Sequence, residues 1–153
     1  MADPPSESAT EQVVHQLLTI HRYLRRYSKR VTSELGINGR QLAVLRHLRE
    51  AGPLSVGRIS AYLYIADSTT SELLDGLEAR ALITRSRSSE DNRVAVVALT
   101  PAGEALVARA PLGGTALLRQ RLRSLPATQV AALAGALQHL GRLLEVDDAT
   151  RPQ

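Results

Sequence analysis

The sequence predicts a mainly α-helical fold with a single small β-hairpin. Three observations lead there. Apolar residues recur at helical spacing near both ends, capped helical segments fill the middle, and only residues 82–99 switch to a strand period. From Val13 the apolar positions run Val13, Leu17, Ile20, Leu24, Tyr27, Val31 and Leu35, three or four apart and close to a heptad seam. Near the other end Val130, Leu133, Leu137, Leu140 and Leu144 repeat that spacing. Two such helices predict that the ends of the chain pack together. Their narrow seams also fit a second subunit, so an intrachain bundle and a homodimer both satisfy the pattern.

Between the seams, Asn38 is placed to cap a helix carrying Leu42, Leu45 and Leu48, which stops at Gly52-Pro53. Ser55 caps a short helix reaching Leu63, with Val56, Ile59 and Leu63 inward. After the turn Tyr64-Ile65-Ala66, Asp67 is the cap of a helix to about Arg80, whose inward face is Thr70, Leu73, Leu74 and Leu77. Thr69 and Glu72 also have capping-box spacing. Residues 82–87 and 93–99 read as strands joined by the polar turn Ser88-Ser89-Glu90-Asp91-Asn92. Thr100-Pro101 restarts a helix, with threonine as cap and proline at its first position. Pro111 and Gly113-Gly114 should kink or break that helix near residues 110–114, with its continuity there left open, and it resumes until Pro126. Helix, helix, helix, hairpin, helix is the order of a winged helix-turn-helix domain. The predicted division is an acidic disordered tail (1–11), an N-terminal dimerisation helix (12–35), the winged helix-turn-helix (36–100), C-terminal dimerisation helices (101–146) and a second tail (147–153).

Composition narrows what such a fold can do. At 153 residues and 44% hydrophobic, the chain is long enough for one domain with its own core. It has no cysteine, which excludes a disulfide scaffold, thiol catalysis and zinc-thiolate sites. His15 and His21 lie six apart and His47 and His139 stand alone, so neither a metal motif nor a cofactor signature appears. No apolar run approaches the roughly 18–20 residues of a membrane span, and the acidic N-terminus lacks the features of a signal peptide. A cytoplasmic protein without a membrane partner is the expectation.

The net charge of +4 and pI near 10.1 point towards a polyanion. Of the 19 basic residues only Lys29 is a lysine. Arginine suits bidentate phosphate and guanine contacts, and a GC-rich genome produces the same bias. Residues 12–35 and 101–144 each carry +4, whereas residues 38–100 carry only +1. If the middle segment meets nucleic acid, placement of individual side chains does the work.

A helix-turn-helix presents the first half of its second helix to the major groove. Here the exposed residues of that half are Ser68, Thr69, Ser71 and Glu72, and Thr70, though on the inward face, is counted with them as a DNA-binding candidate; the hydroxyls can meet base edges and phosphates or simply cap the helix. Arg85, Arg87 and Arg93 surround the hairpin tip, where an arginine can enter a narrow minor groove. Asp91 could orient the Arg93 guanidinium by a paired hydrogen bond, or the two could form an ordinary surface pair.

Leu54 to Leu106 resembles the MarR family of bacterial transcription regulators. The resemblance rests on Pro53-Leu54-Ser55, Ser68-Thr69-Thr70, Leu77-Glu78, Leu82-Ile83-Thr84-Arg85, Asp91-Asn92-Arg93 and Leu99-Thr100-Pro101-Ala102-Gly103, in that order. It implies a triangular homodimer that binds double-stranded DNA at an inverted-repeat operator, usually as a repressor. Each subunit would place its recognition helix in the major groove and Arg93, oriented by Asp91, in the minor groove. Ser68, Thr69 and Ser71 would then face bases and phosphates, and Ser55 and Arg58 phosphates. Two positions depart from the family pattern: Asn92 stands where a second arginine is common, and Ala81 where glycine is usual.

Many members of that family release DNA when a small, often phenolic ligand binds between the dimerisation helices and the winged domain. The aromatic candidates for such a site are His21, Tyr23, Tyr27, His47, Tyr62 and Tyr64, with His21, Tyr27, His47 and Tyr62 foremost. Each also fits a packing role, and a chain without Phe or Trp has little material for a large aromatic pocket. Two rival functions remain open. One is a winged-helix module for protein contacts. The other is a small enzyme, for which the sequence lacks nucleophile-elbow glycines and a phosphate loop.

Overall fold

The computed structural model describes residues 7–146. The segments 1–6 and 147–153, read above as parts of tails, lie outside the described residues. The helix α1 spans Glu7–Leu35 and so starts five residues before the expected boundary. Glu7 stands in its first turn, where a carboxylate complements the positive helix end. Residues 7–11 are therefore helix rather than tail.

α2 (Gly39–Ala51) begins with a full capping box. Asn38 Oδ1 accepts from the Gln41 amide at 2.8 Å, and Gln41 Oε1 accepts from the Asn38 amide at 3.0 Å. It ends at Gly52, whose φ of 78° only glycine adopts readily. A two-residue strand β1 (Leu54–Ser55) follows, then α3 (Val56–Leu63), capped by Ser55. α4 (Asp67–Ala79) comes after a left-handed Tyr64.

The strands β2 (Ile83–Arg87) and β3 (Ala95–Leu99) pair antiparallel, Ile83 opposite Leu99 and Arg87 opposite Ala95. β1 adds to the other edge of β3, Leu54 opposite Val97, giving the sheet order β1-β3-β2. This third strand is too short to show as a periodic run. Thr100 and Pro101 open α5 (Pro101–Arg109) as expected, and residues 110–113 separate it from α6 (Gly114–Leu122). α7 (Ala127–Leu143) completes the chain.

One core holds α2, α3, α4 and the sheet together. Val44, Leu45, Ile59, Leu74, Leu77 and Val97 are fully enclosed, and Val31 and Leu35 bring in the end of α1. Burial of such side chains contributes about 1.5–3 kcal/mol each. Inside this core Ser60 donates to Thr70 Oγ1 at 2.8 Å, and the Thr70 hydroxyl donates to the Ala66 carbonyl at 3.2 Å. That chain satisfies two buried hydroxyls and fixes α3 against α4, the pair that forms the helix-turn-helix.

Two devices fix the surrounding helices. Arg80, which closes α4, donates to the Gly36 carbonyl and, at 3.1 Å, to the Leu35 carbonyl, so it neutralises the C-terminal end of α1. At the break between α5 and α6, the Pro111 carbonyl accepts from Tyr27 Oη at 2.9 Å and from Arg46 at 2.7 Å. The Gly114 amide donates to Tyr23 Oη at 3.0 Å, and its φ of 58° suits glycine.

The chain's two ends do not come together as their spacing predicted. α7 buries none of its residues, and Leu133, Leu137, Leu143 and Leu144 are exposed. The same holds for Val13, Ile20 and Leu24 on α1. Within one chain much of both seams faces solvent.

Candidate nucleic-acid interface

α4 and the β2–β3 hairpin form the face to which the sequence assigns DNA reading. α4 starts from Ala66, which supplies no side-chain cap; Asp67 is already the first helical residue. The predicted Asp67 cap is thus corrected, because the left-handed Tyr64 closes the turn early and Ala66 takes the extended cap conformation. The alternative start through Thr69 and Glu72 is not formed either. The uncapped first-turn amides point out of the helix, an arrangement suited to an anion.

Around that start Ser68 is exposed, and Thr69 and Ser71 are half-buried. Thr70 is not available for contact. It is completely enclosed, with its hydroxyl committed to Ser60 and Ala66, because it falls on the helix face that packs against α3. Ser55 Oγ accepts from the Arg58 amide at 3.4 Å as the cap of α3, and the Arg58 side chain is exposed one turn along.

The three hairpin arginines do different jobs. Arg85 is turned back onto α4, paired with Asp75 and with its Nε 3.3 Å from Glu78 Oε2. In the free chain the Arg85 side chain thus lies against α4 rather than at the hairpin tip, and it stays 24% exposed. Arg87 donates to the Asn92 carbonyl at 3.0 Å, closing the loop. Arg93 is exposed at the tip. Asp91 Oδ1 accepts from the Arg93 backbone amide at 2.9 Å, so the acid shapes the turn rather than gripping the guanidinium as expected. The outcome is a wing joined to α4 by the Arg85 ion pairs, with Arg93 exposed at its tip.

The aromatic candidates divide as well. His21 is exposed on α1, and Tyr64 is 64% exposed. Tyr23 and Tyr27 hold the α5–α6 break through the hydrogen bonds given above. His47 and Tyr62 stack face to face, centroids 3.7 Å apart and planes 5° from parallel, and Arg119 lies 4.0 Å from the Tyr62 centroid. Burial holds the His47 pKa below its usual 6.5; Arg119 and Arg58 act the same way and Glu50 opposes them.

Tyr62 and Arg119 stand between two open grooves. One, about 610 Å³, is lined by Leu24, Tyr27, Arg40 and Tyr64 among others. The other, about 350 Å³, is lined by Arg46, Arg49, Glu50 and Arg123 among others. Arg46 and Arg119 escaped the sequence reading, since their partners lie 65 and 57 residues away. Among the described residues no group of His, Asp and Glu could hold a metal ion, and no helix is long and apolar enough to cross a membrane.

Comparison with known proteins settles the lineage. Residues 35–93 match the model of the MarR family. The organic hydroperoxide resistance transcriptional regulator of Bacillus subtilis (strain 168) is 32% identical over 99 residues, spanning 65% of this chain and 67% of that one. The chain belongs to the MarR family. Another relative in the same organism, the uncharacterised HTH-type transcriptional regulator YsmB, is 25% identical over 140 residues, 92% of this chain and 95% of its own length. Among solved structures, a mutant MarR from E. coli complexed with operator DNA superposes with a TM-score of 0.61 at 22% identity, covering 90% of this chain and 99% of that one. That last likeness establishes the winged helix-turn-helix fold.

Proposed function

We propose that the chain binds double-stranded DNA as a homodimer at a pseudo-palindromic operator and represses transcription there. α4 enters the major groove, with Ser68, Thr69 and Ser71 towards bases and phosphates. Arg93 enters the minor groove, placed by the Asp91-closed turn. Ser55, Arg58 and Arg87 face the phosphate backbone. Thr70 and Arg85 serve from within, by fixing α4 to α3 and to the wing. The exposed seams on α1 and α7 close the dimer, and a small-molecule effector that releases DNA fits the groove beside Tyr62 and Arg119. The reading assigns no catalytic step.

The observation that carries it is that α4 and the wing lie side by side, joined by the ion pairs of Arg85 with Asp75 and Glu78, so that both DNA-facing elements stand on one face. Selection of bound sequences from random DNA should return an inverted repeat with half-sites about one helical turn apart. Arg93→Ala should lower affinity for that DNA about tenfold or more while sedimentation still reports the dimer. Wild-type affinity should fall steeply with salt as counterions are released. Unchanged affinity in Arg93→Ala, or a flat salt response, would overturn the docking mode and leave a protein-contact module.

A further inference from the structure

α4 is an acidic reading element. It carries Asp67, Glu72, Asp75 and Glu78, with no basic residue before Arg80. Two of those acids are accounted for, since Arg85 pairs with both Asp75 and Glu78. Asp67 is the first helical residue, where its charge complements the positive helix end. Glu72 is the one left over. It is exposed, and among the described residues its carboxylate has neither an ion-pair nor a hydrogen-bond partner. It stands four residues after Ser68, hence directly beside it on the outer face of the second turn.

We propose that Glu72 is a specificity-determining residue that reads the N4 amino group of a cytosine in each half-site. The assignment rests on the major-groove docking of α4 proposed above. An ionised carboxylate only accepts hydrogen bonds, and in the major groove the donors are cytosine N4 and adenine N6. Adenine places the N7 lone pair beside its amino group, and guanine offers two acceptors; both repel a carboxylate. Cytosine presents its amino group beside a neutral C5–H edge. On any other sequence the carboxylate lies unpaired against the phosphate field, so the same residue that selects cytosine penalises unrelated DNA. Ser68, small and adjacent, leaves the carboxylate room to reach the base edge.

The test compares the full-length wild type, Glu72→Gln and Glu72→Ala by selection from random double-stranded DNA, followed by titration of the wild-type consensus and its single-base-pair variants. Because Glu72 is exposed, both variants should keep the wild-type circular dichroism spectrum. The wild type should require C·G at one symmetric position, losing about tenfold in affinity when that pair is changed. Glu72→Ala should lose the preference at that position alone and bind unrelated DNA more tightly. Glu72→Gln should move the preference towards A, which offers a donor and an acceptor to an amide. Identical selection profiles for wild type and Glu72→Ala would overturn the assignment while leaving the proposed function standing. So would a Glu72-dependent preference for any base other than cytosine. A wild type that selects no sequence would overturn both.

Discussion

The helix-turn-helix body and the terminal helices carry comparable apolar patterns and treat them in opposite ways. In the body, Leu45, Ile59, Leu74 and Leu77 are all 0% exposed. On the terminal helices Ile20 is 56% and Leu137 64% exposed, at the same helical spacing. A periodic apolar face therefore says that a helix needs a partner, without saying whether the partner is in the same chain. The body supplies its own; the terminal seams stay open in the single chain, and the proposed homodimer would cover them.

Four measurements would break or sharpen that contrast. The largest effect is expected for Leu137→Asp, which places a charge in the centre of the α7 seam. It should convert the dimer to monomer or insoluble protein, and sedimentation as an ordinary dimer would sink the seam argument. Leu74→Ala acts in the self-sufficient half. It should lower stability by about 2–5 kcal/mol in urea unfolding through the cavity it leaves. Ala81→Gly should stabilise the fold by about 0.5–1 kcal/mol. Ala81 holds a φ of 56°, a left-handed conformation that disfavours a Cβ, partly offset by the greater freedom of glycine when unfolded.

The smallest effect concerns His47, on the border between the two regions. Its pKa is lowered from 6.5 mainly by burial, so the folded state prefers the neutral ring. The stability this confers is complete above pH 6.5 and is lost as pH falls from there towards the folded pKa. Melting of the wild type should therefore drop more between pH 7.5 and pH 5.5, roughly, than melting of His47→Gln. Equal drops would remove His47 as the cause.

The contrast also explains what could be read beforehand. Local chemistry was legible: the Asn38 cap, the Ser55 cap, Thr100-Pro101 and the break at 110–114 each depend on neighbours a few residues away. The third strand was not, because Leu54-Ser55 becomes a strand by pairing with Val96 and Val97, some forty residues on. At the interface the residue types were legible and their directions were not. Thr70 has the same kind of hydroxyl as Ser68, Thr69 and Ser71, but it lies on the face that α3 covers. Arg85 looked like Arg93 until Asp75 and Glu78 claimed it. The stack of His47, Tyr62 and Arg119 joins α2, α3 and α6, and nothing in its spacing announces it.

The fork of Arg80 on the last carbonyls of α1 has a mechanical consequence. Gly36 admits it, for a Cβ there would lie 2.8 Å from the guanidinium nitrogen. The foot of α4 is thereby bolted to the foot of α1. In the proposed dimer each α1 also meets the other copy. In that dimer the angle at which the two α1 helices cross would bear on the separation of the two α4 helices.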